Sequence, residues 1–196
     1  VSADIARAFD NVTLTTLARA MEKLCIPTRL QYALLEPLSV TSCTIVFEGI
    51  EMPGIPWDKS LRTGGTESPL AFNLVVIAMW SEVVDELDTR MIGYEIPNPH
   101  EPCSYHHSNH AIWADNIYLV GRTASEVQHI VDVFTSALRD WGMEWKEDSL
   151  EMIVCGSPCS TPILAQIGDR RVPFSRVTKL NILGNVVCAV YGSTHE

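Results

Sequence analysis

The chain has 196 residues, of which 46% are hydrophobic and 19% charged, and its formal net charge is −10. That length suits one domain, or one domain and part of another, with enough apolar side chains to fill a core. The composition excludes disorder except in the last few residues, and no apolar run approaches the ~20 residues that span a bilayer.

In chain order, Val1–Ile5 predicts a buried strand end; because the chain opens there without a Met, it is expected to be a fragment cut at its N-terminus. Leu14, Leu17, Ala18, Met21 and Leu24 recur at helical spacing, with Thr13 as N-cap and Pro27 as stop. Thr28–Leu38 fits a second short helix, and Thr41–Phe47 a strand by its β-branched content. Glu48–Lys59 contains Gly49, Pro53, Gly54 and Pro56 and predicts a loop.

Ser68-Pro69 opens the strongest helix, which runs from Leu70 to Met91 and ends at Gly93. Ser caps well, and Pro is tolerated at the first helical position because its missing N–H would be unpaired there. The first half of this helix is apolar all round, which implies burial. Pro97–Asn109 is turn-rich. Two short β-prone runs follow, Ile112-Trp113 and Ile117-Tyr118-Leu119-Val120, with Ala114-Asp115-Asn116 between them.

Thr123-Ala124-Ser125-Glu126 has the form of a capping box. Val127, Ile130, Val131, Phe134, Leu138 and Trp141 then make one apolar stripe, closed by Gly142. Leu150–Cys155, Ile163–Ile167, Lys179–Ile182 and Val186–Val190 predict strands. The order of elements is an α+β pattern, with helices packed on one face of an antiparallel sheet.

Asp115, held at a tight turn between two strands, is a rigidly presented carboxylate. Asp4, far away in sequence, is a second; two-metal phosphoryl-transfer sites are built from such distant pairs. Taken one at a time, Asp4 reads rather as a strand-end or capping Asp and Asp115 as a turn Asp.

Five segments together resemble the palm of a reverse transcriptase, of the non-LTR (LINE-like) retrotransposon type. Asp4-Ile5-Ala6-Arg7-Ala8-Phe9-Asp10-Asn11-Val12 is similar to the family's D-x-x-x-A-F-D-x-V motif. Arg62-Thr63-Gly64-Gly65-Thr66-Glu67-Ser68-Pro69-Leu70-Ala71-Phe72-Asn73 is similar to R-Q-G-x-x-x-S-P-x-x-F-N. Trp113-Ala114-Asp115-Asn116 stands where Y-A-D-D is usual. Trp141-Gly142-Met143 through Met152 resembles the fourth motif, and Lys179-Leu180-Asn181-Ile182-Leu183-Gly184 the fifth, commonly K-Y-L-G. Three departures stand out: Thr63 for Gln, Asn116 for the second Asp, and Ser149 where a Lys is common, with Lys146 just before it.

The resemblance implies a polymerase-type palm over residues 1–196, without the N-terminal fingers and the thumb, and not active by itself. It implies RNA-directed DNA synthesis with Mg²⁺ (or Mn²⁺), held by Asp4, Asp115 and the Ile5 backbone carbonyl. Asn116 would contribute only a hydrogen bond at that catalytic tip. Phe9 would lie under the sugar and exclude a 2′-hydroxyl, the alternative being an ordinary core Phe. Arg62 would contact phosphate or template, and Gly64 and Gly65 would let the backbone approach nucleotide or template; a solvated loop Arg and a plain turn before a helix are the alternatives. Lys146 would stand in as proton donor to pyrophosphate, against the reading of a surface Lys. Asp10 reads as a structural residue.

The implied partners are an RNA template, a DNA primer, dNTP and further regions of the same polyprotein (fingers, thumb and endonuclease), with no membrane. The implied location is intracellular, in nucleus or cytoplasm. The net charge of −10 sits awkwardly with nucleic-acid binding. It fits an acidic catalytic core flanked by basic parts, and equally a protein that never touches nucleic acid. An inactive retroelement remnant and a non-catalytic acidic α+β binding module are therefore the competing readings. Cys25, Cys43, Cys103, Cys155, Cys159 and Cys188 include no C-x-x-C pair and read as reduced thiols. Cys103, His106, His107 and His110 cluster at a spacing that can bind zinc, although their Asn and Pro neighbours favour a variable loop.

Overall fold

A computed structural model describes residues 1–39, 42–56, 61, 65–97, 105–156 and 160–189. The N-terminal elements are β1 (Ser2–Asp4), α1 (Ala8–Asn11), α2 (Leu14–Lys23), α3 (Thr28–Leu38), β2 (Ser42–Phe47), β3 (Ile50–Pro56) and α4 (Ser68–Thr89). Then come β4 (Tyr94–Pro97), β5 (Tyr105–Ser108), β6 (His110–Trp113), β7 (Asn116–Leu119), α5 (Ala124–Asp140) and a 3-10 turn (Glu147–Ser149). β8 (Glu151–Met152), β9 (Leu164–Ile167), β10 (Arg170–Pro173), β11 (Ser175–Arg176), β12 (Lys179–Ile182) and β13 (Asn185–Cys188) follow among the described residues. The fold is α+β and rich in antiparallel pairs, as a palm-type domain requires. It divides into two compact units, one made of 1–6 with 82–196 and the other of 7–81, with α4 running from one into the other.

The first unit is built on a five-stranded sheet in the order β11-β8-β1-β7-β6. β1 is its central strand. It pairs antiparallel with β7, Ser2 opposite Tyr118 and Asp4 opposite Asn116, and meets β8 where Ser2 faces Glu151. β11 joins β8 in parallel, the one departure from the expected antiparallel sheet. Ala3 and Ile5 point into the core while Ser2 and Asp4 are half-buried, the period-two alternation of a strand.

α5 packs on β7 and β9. Its predicted stripe is buried at Ile130, Val131, Phe134, Leu138 and Trp141, and each such side chain contributes about 1.5–3 kcal/mol. Thr123 caps the helix by accepting the Glu126 N–H at 3.2 Å. Glu126 reaches back one residue further than a capping box would, accepting the Arg122 N–H at 2.9 Å. Gly142 follows at φ 72, the left-handed exit expected of it.

In the second unit, Thr13 caps α2 by accepting the Thr16 N–H at 3.0 Å, and α2 buries Leu17, Ala20 and Met21. Gln31 donates to the Ile26 carbonyl at 2.8 Å and fastens the turn into α3. The segment expected as a loop forms β3, paired with β2 around Glu48-Gly49. Both turn residues have positive φ (50 and 81), which matches the strand twist of a two-residue hairpin. Pro53 falls in the irregular stretch between the Ile45–Met52 and Cys43–Ile55 pairs, where a bulge tolerates a proline.

α4 begins at Ser68 itself, and the Glu67 carbonyl accepts the Ala71 N–H at 2.9 Å, a start one residue earlier than predicted. Its apolar first half is buried at Ala71, Phe72, Val75 and Met79 but exposed at Leu70 and Ile77, so burial does not extend all round. The turn-rich segment before Asn109 likewise contributes strands, with Tyr94 opposite Ser108 in the β4–β5 pair. Among the described residues, no helix is long and apolar enough to cross a membrane.

Candidate active site

Asp4 is the last residue of β1, and its strand neighbour across β7 is Asn116. Trp113 pairs with Asn116, so Ala114 and Asp115 form a two-residue turn between β6 and β7. Ala114 has φ 53. A side chain in that left-handed region costs about 1–2 kcal/mol, and the sheet pairing of both arms maintains it. The Ile5 N–H donates to the Asp115 carbonyl at 3.0 Å, which ties the end of β1 to this turn. Asn116 Nδ2 donates to the Trp113 carbonyl at 3.4 Å, a weak bond across the hairpin.

On the other edge of β1 lies the segment from Glu144 to Ser149. The Ala6 N–H donates to the Glu144 carbonyl and the Lys146 N–H to the Asp4 carbonyl, each at 2.9 Å, with Ile5 bridged to Trp145 between them. Trp145 is buried and its Nε1 donates to Thr135 Oγ1 at 2.7 Å, anchoring the segment to α5. Lys146 Nζ lies 3.8 Å from Asp4 Oδ2 and 3.7 Å from Asp148 Oδ1. Half-exposed pairs of this kind are worth about 0–1 kcal/mol.

The Asp4 carboxyl is pushed above the usual carboxylate range. Burial is the largest cause and the Asp115 charge the next; Lys146 opposes them, and Asp148 and Glu151 add smaller upward pushes. Two carboxylates that repel each other in a partly desolvated place form an oxygen donor set suited to a hard divalent cation.

Asp4, Ile5, Asp115, Asn116 and Lys146 are thus gathered in one place within one unit. Phe9 and Gly65 belong to the other unit. Phe9 stacks on Phe72 with ring centroids 4.9 Å apart. Gly65 makes the tight turn before α4: its carbonyl accepts the Ser68 N–H at 3.3 Å, and a Cβ would come within 2.8 Å of Ser68 Oγ. Arg62, Thr63, Gly64, Cys103 and Cys159 lie outside the described residues. His106 and His107 fall on β5, opposite Ile96 and Glu95. His110 bonds Asn109 Oδ1 through Nδ1 and packs its ring on Phe134, and burial lowers its pKa against the pull of Asp88. Among the described residues, no group of three His, Cys, Asp or Glu is placed to hold a metal.

Sequence reasoning passed over Trp145 and gave Ser149 no positive role. Met143 and Trp145 are both buried, with Glu144 exposed between them. That apolar–polar alternation is the signal of an extended segment; its place beside β1 comes from the bridge of Ile5 to Trp145.

No curated protein matches the chain. Residues 1–185 match the family model described as reverse transcriptase (RNA-dependent DNA polymerase). With that match running almost end to end over an α+β fold whose first strand and third motif meet at Asp4 and Asp115, the chain belongs to the reverse transcriptase family.

Proposed function

We propose that this chain is the catalytic palm of an RNA-directed DNA polymerase from a retroelement of the non-LTR type, extending a DNA primer on an RNA template. The observation that carries the reading is the meeting of Asp4 and Asp115, with the Ile5 N–H bonded to the Asp115 carbonyl at 3.0 Å. A residue in extended backbone directs its N–H and C=O to the same edge, so the Ile5 carbonyl faces the same turn. Asp4, Asp115 and that carbonyl would hold Mg²⁺, or Mn²⁺ in its place. When bound, divalent ions supply positive charge to the attacking and leaving oxygens of an in-line displacement.

In the reaction a primer 3′-oxygen, losing its proton, forms a bond to the α-phosphorus of a dNTP, and the bond to pyrophosphate breaks. The contribution of this chain is positional: β1 and the β6–β7 turn fix two carboxylates before substrate arrives, so no reorganisation is needed at the moment of reaction. Lys146, whose Nζ lies near Asp4 and Asp148, would donate a proton to the departing pyrophosphate. Phe9, steadied by Phe72, would pack under the sugar and exclude a 2′-hydroxyl. Arg62, Gly64 and Gly65 would contact template and nucleotide.

A second reading, an inactive retroelement remnant, is favoured by Asn116, which supplies an amide where the family commonly supplies a second carboxylate. Primer extension on an RNA template by the full-length protein separates the two. Extension that depends on Mg²⁺ or Mn²⁺ and is abolished by Asp4→Asn and by Asp115→Asn is the result expected of the polymerase. Absence of any extension by the unaltered protein with either ion establishes the remnant.

A further inference from the structure

β8 is only two residues long and pairs with β1 at Ser2. In a strand, residues two apart present their N–H and C=O to the same edge, so Asp4 also faces the β8 side. The chain on that side is no longer a strand there but the 3-10 turn, Glu147–Ser149. The Asp4 carbonyl is taken by the Lys146 N–H at 2.9 Å. The Asp4 N–H would be left without a rung of the ladder, and it donates instead to Ser149 Oγ at 2.8 Å. The same hydroxyl donates its own proton to the Lys146 carbonyl at 2.8 Å, which turns its lone pair toward Asp4. Asp4 is therefore gripped at both backbone groups by one short turn, and a single hydroxyl closes the grip.

We propose that Ser149 is a positioning residue for the metal-binding carboxylate: its hydroxyl completes the sheet at Asp4 and so fixes the direction in which that side chain leaves β1. The inference rests on the reading of Asp4 as a metal ligand. The main chain of a ligand residue sets the carboxylate's aim, and partners one layer out from a metal typically change affinity by about 10–100-fold when removed. Ala at this position keeps the turn but offers no acceptor. Thr keeps the hydroxyl.

The test is Mn²⁺ binding to the protein, followed by the paramagnetic signal of the free ion, at a temperature where every variant is folded. Ser149→Ala is expected to weaken Mn²⁺ binding by about tenfold, and Ser149→Thr to restore most of it. Amide hydrogen exchange at Asp4 should quicken in Ser149→Ala and not in Ser149→Thr. Gln128→Ala is the matched control. Gln128 bonds both backbone groups of Leu164 at 2.8 Å, so its loss destabilises the same unit away from Asp4 and should leave Mn²⁺ affinity unchanged. Equal Mn²⁺ affinity in Ser149→Ala and the unaltered protein overturns the positioning role. So does equal weakening in Ser149→Ala and Gln128→Ala, which would mark a general loss of stability. If the unaltered protein binds no Mn²⁺, or Asp4→Asn binds it equally well, the metal-ligand reading fails first and takes this inference with it.

Discussion

Asp4→Asn should make the metal-free protein more stable at neutral pH, and less stable than the unaltered protein once a divalent ion is present. The Asp4 side chain is 27% exposed and its pKa is raised chiefly by burial and then by Asp115. Folding therefore favours the protonated form. Between the usual carboxyl range and the raised value the folded chain holds more protons than the unfolded one, so stability falls as pH climbs through that window. Replacement by Asn removes the buried charge and its repulsion. The loss is the Lys146 pair, which at 3.8 Å with a half-exposed Lys is worth about 0–1 kcal/mol. The gain should be present at pH 7 and vanish below about pH 4, where Asp4 is neutral in both states. With Mn²⁺ at one hundred times its dissociation constant, the unaltered protein gains about 2.7 kcal/mol, or about 5–10 °C in melting temperature for a chain of this size. The variant should gain little. Thermal melts from about pH 3 to 8, in EDTA and in Mn²⁺, read both arms. A variant that melts below the unaltered protein in EDTA at pH 7 refutes the argument from buried repulsion, and no gain with Mn²⁺ in the unaltered protein refutes the metal site.

Three other substitutions probe the scaffold and the nucleotide. Gly93→Ala should cost at least about 2 kcal/mol, because Gly93 has φ 121 and a Cβ would stand 2.6 Å from the Ser108 carbonyl oxygen; a melt unchanged within experimental error would contradict it. Ala114→Gly should stabilise the metal-free protein by about 0.5–1 kcal/mol, since relief of the left-handed backbone exceeds the added entropy of the unfolded chain, and denaturant unfolding would show the midpoint moving the wrong way if the turn were unstrained. Phe9→Val should raise ribonucleotide incorporation relative to deoxyribonucleotide by about tenfold; an unchanged ratio would leave Phe9 as a packing partner of Phe72 alone.

The helices were legible because their signals are local. Thr13 and Thr123 cap where they were expected to, and the α5 stripe is buried at five of its six predicted positions, Val127 being half-buried. The hairpins were harder. Pro53, Gly54 and Pro56 argued for a loop, and only pairing with β2, a contact outside the segment, turns it into a strand. The candidate site was legible as two distant aspartates because five motifs ordered them. Its support was not: Ser149 reaches Asp4 across 145 residues of sequence, and a serine carries no signal that its hydroxyl will fill a gap in a sheet.

The central place of β1 also sets an order of assembly. Ser2 leaves the ribosome well before its partners on the two sides, Tyr118 and Glu151. At roughly 5–20 residues per second, a ribosome takes about 7–30 s to deliver both. Over that interval residues 7–81, a unit with its own contacts, are complete and free to fold. β1 meanwhile has no sheet to join. Contacts this distant in sequence are slow to form because a long loop must close before any pairing rewards it. The strand that carries Asp4 is thus made long before it is housed, and substitutions along it should slow the arrival of the native state as well as weaken it.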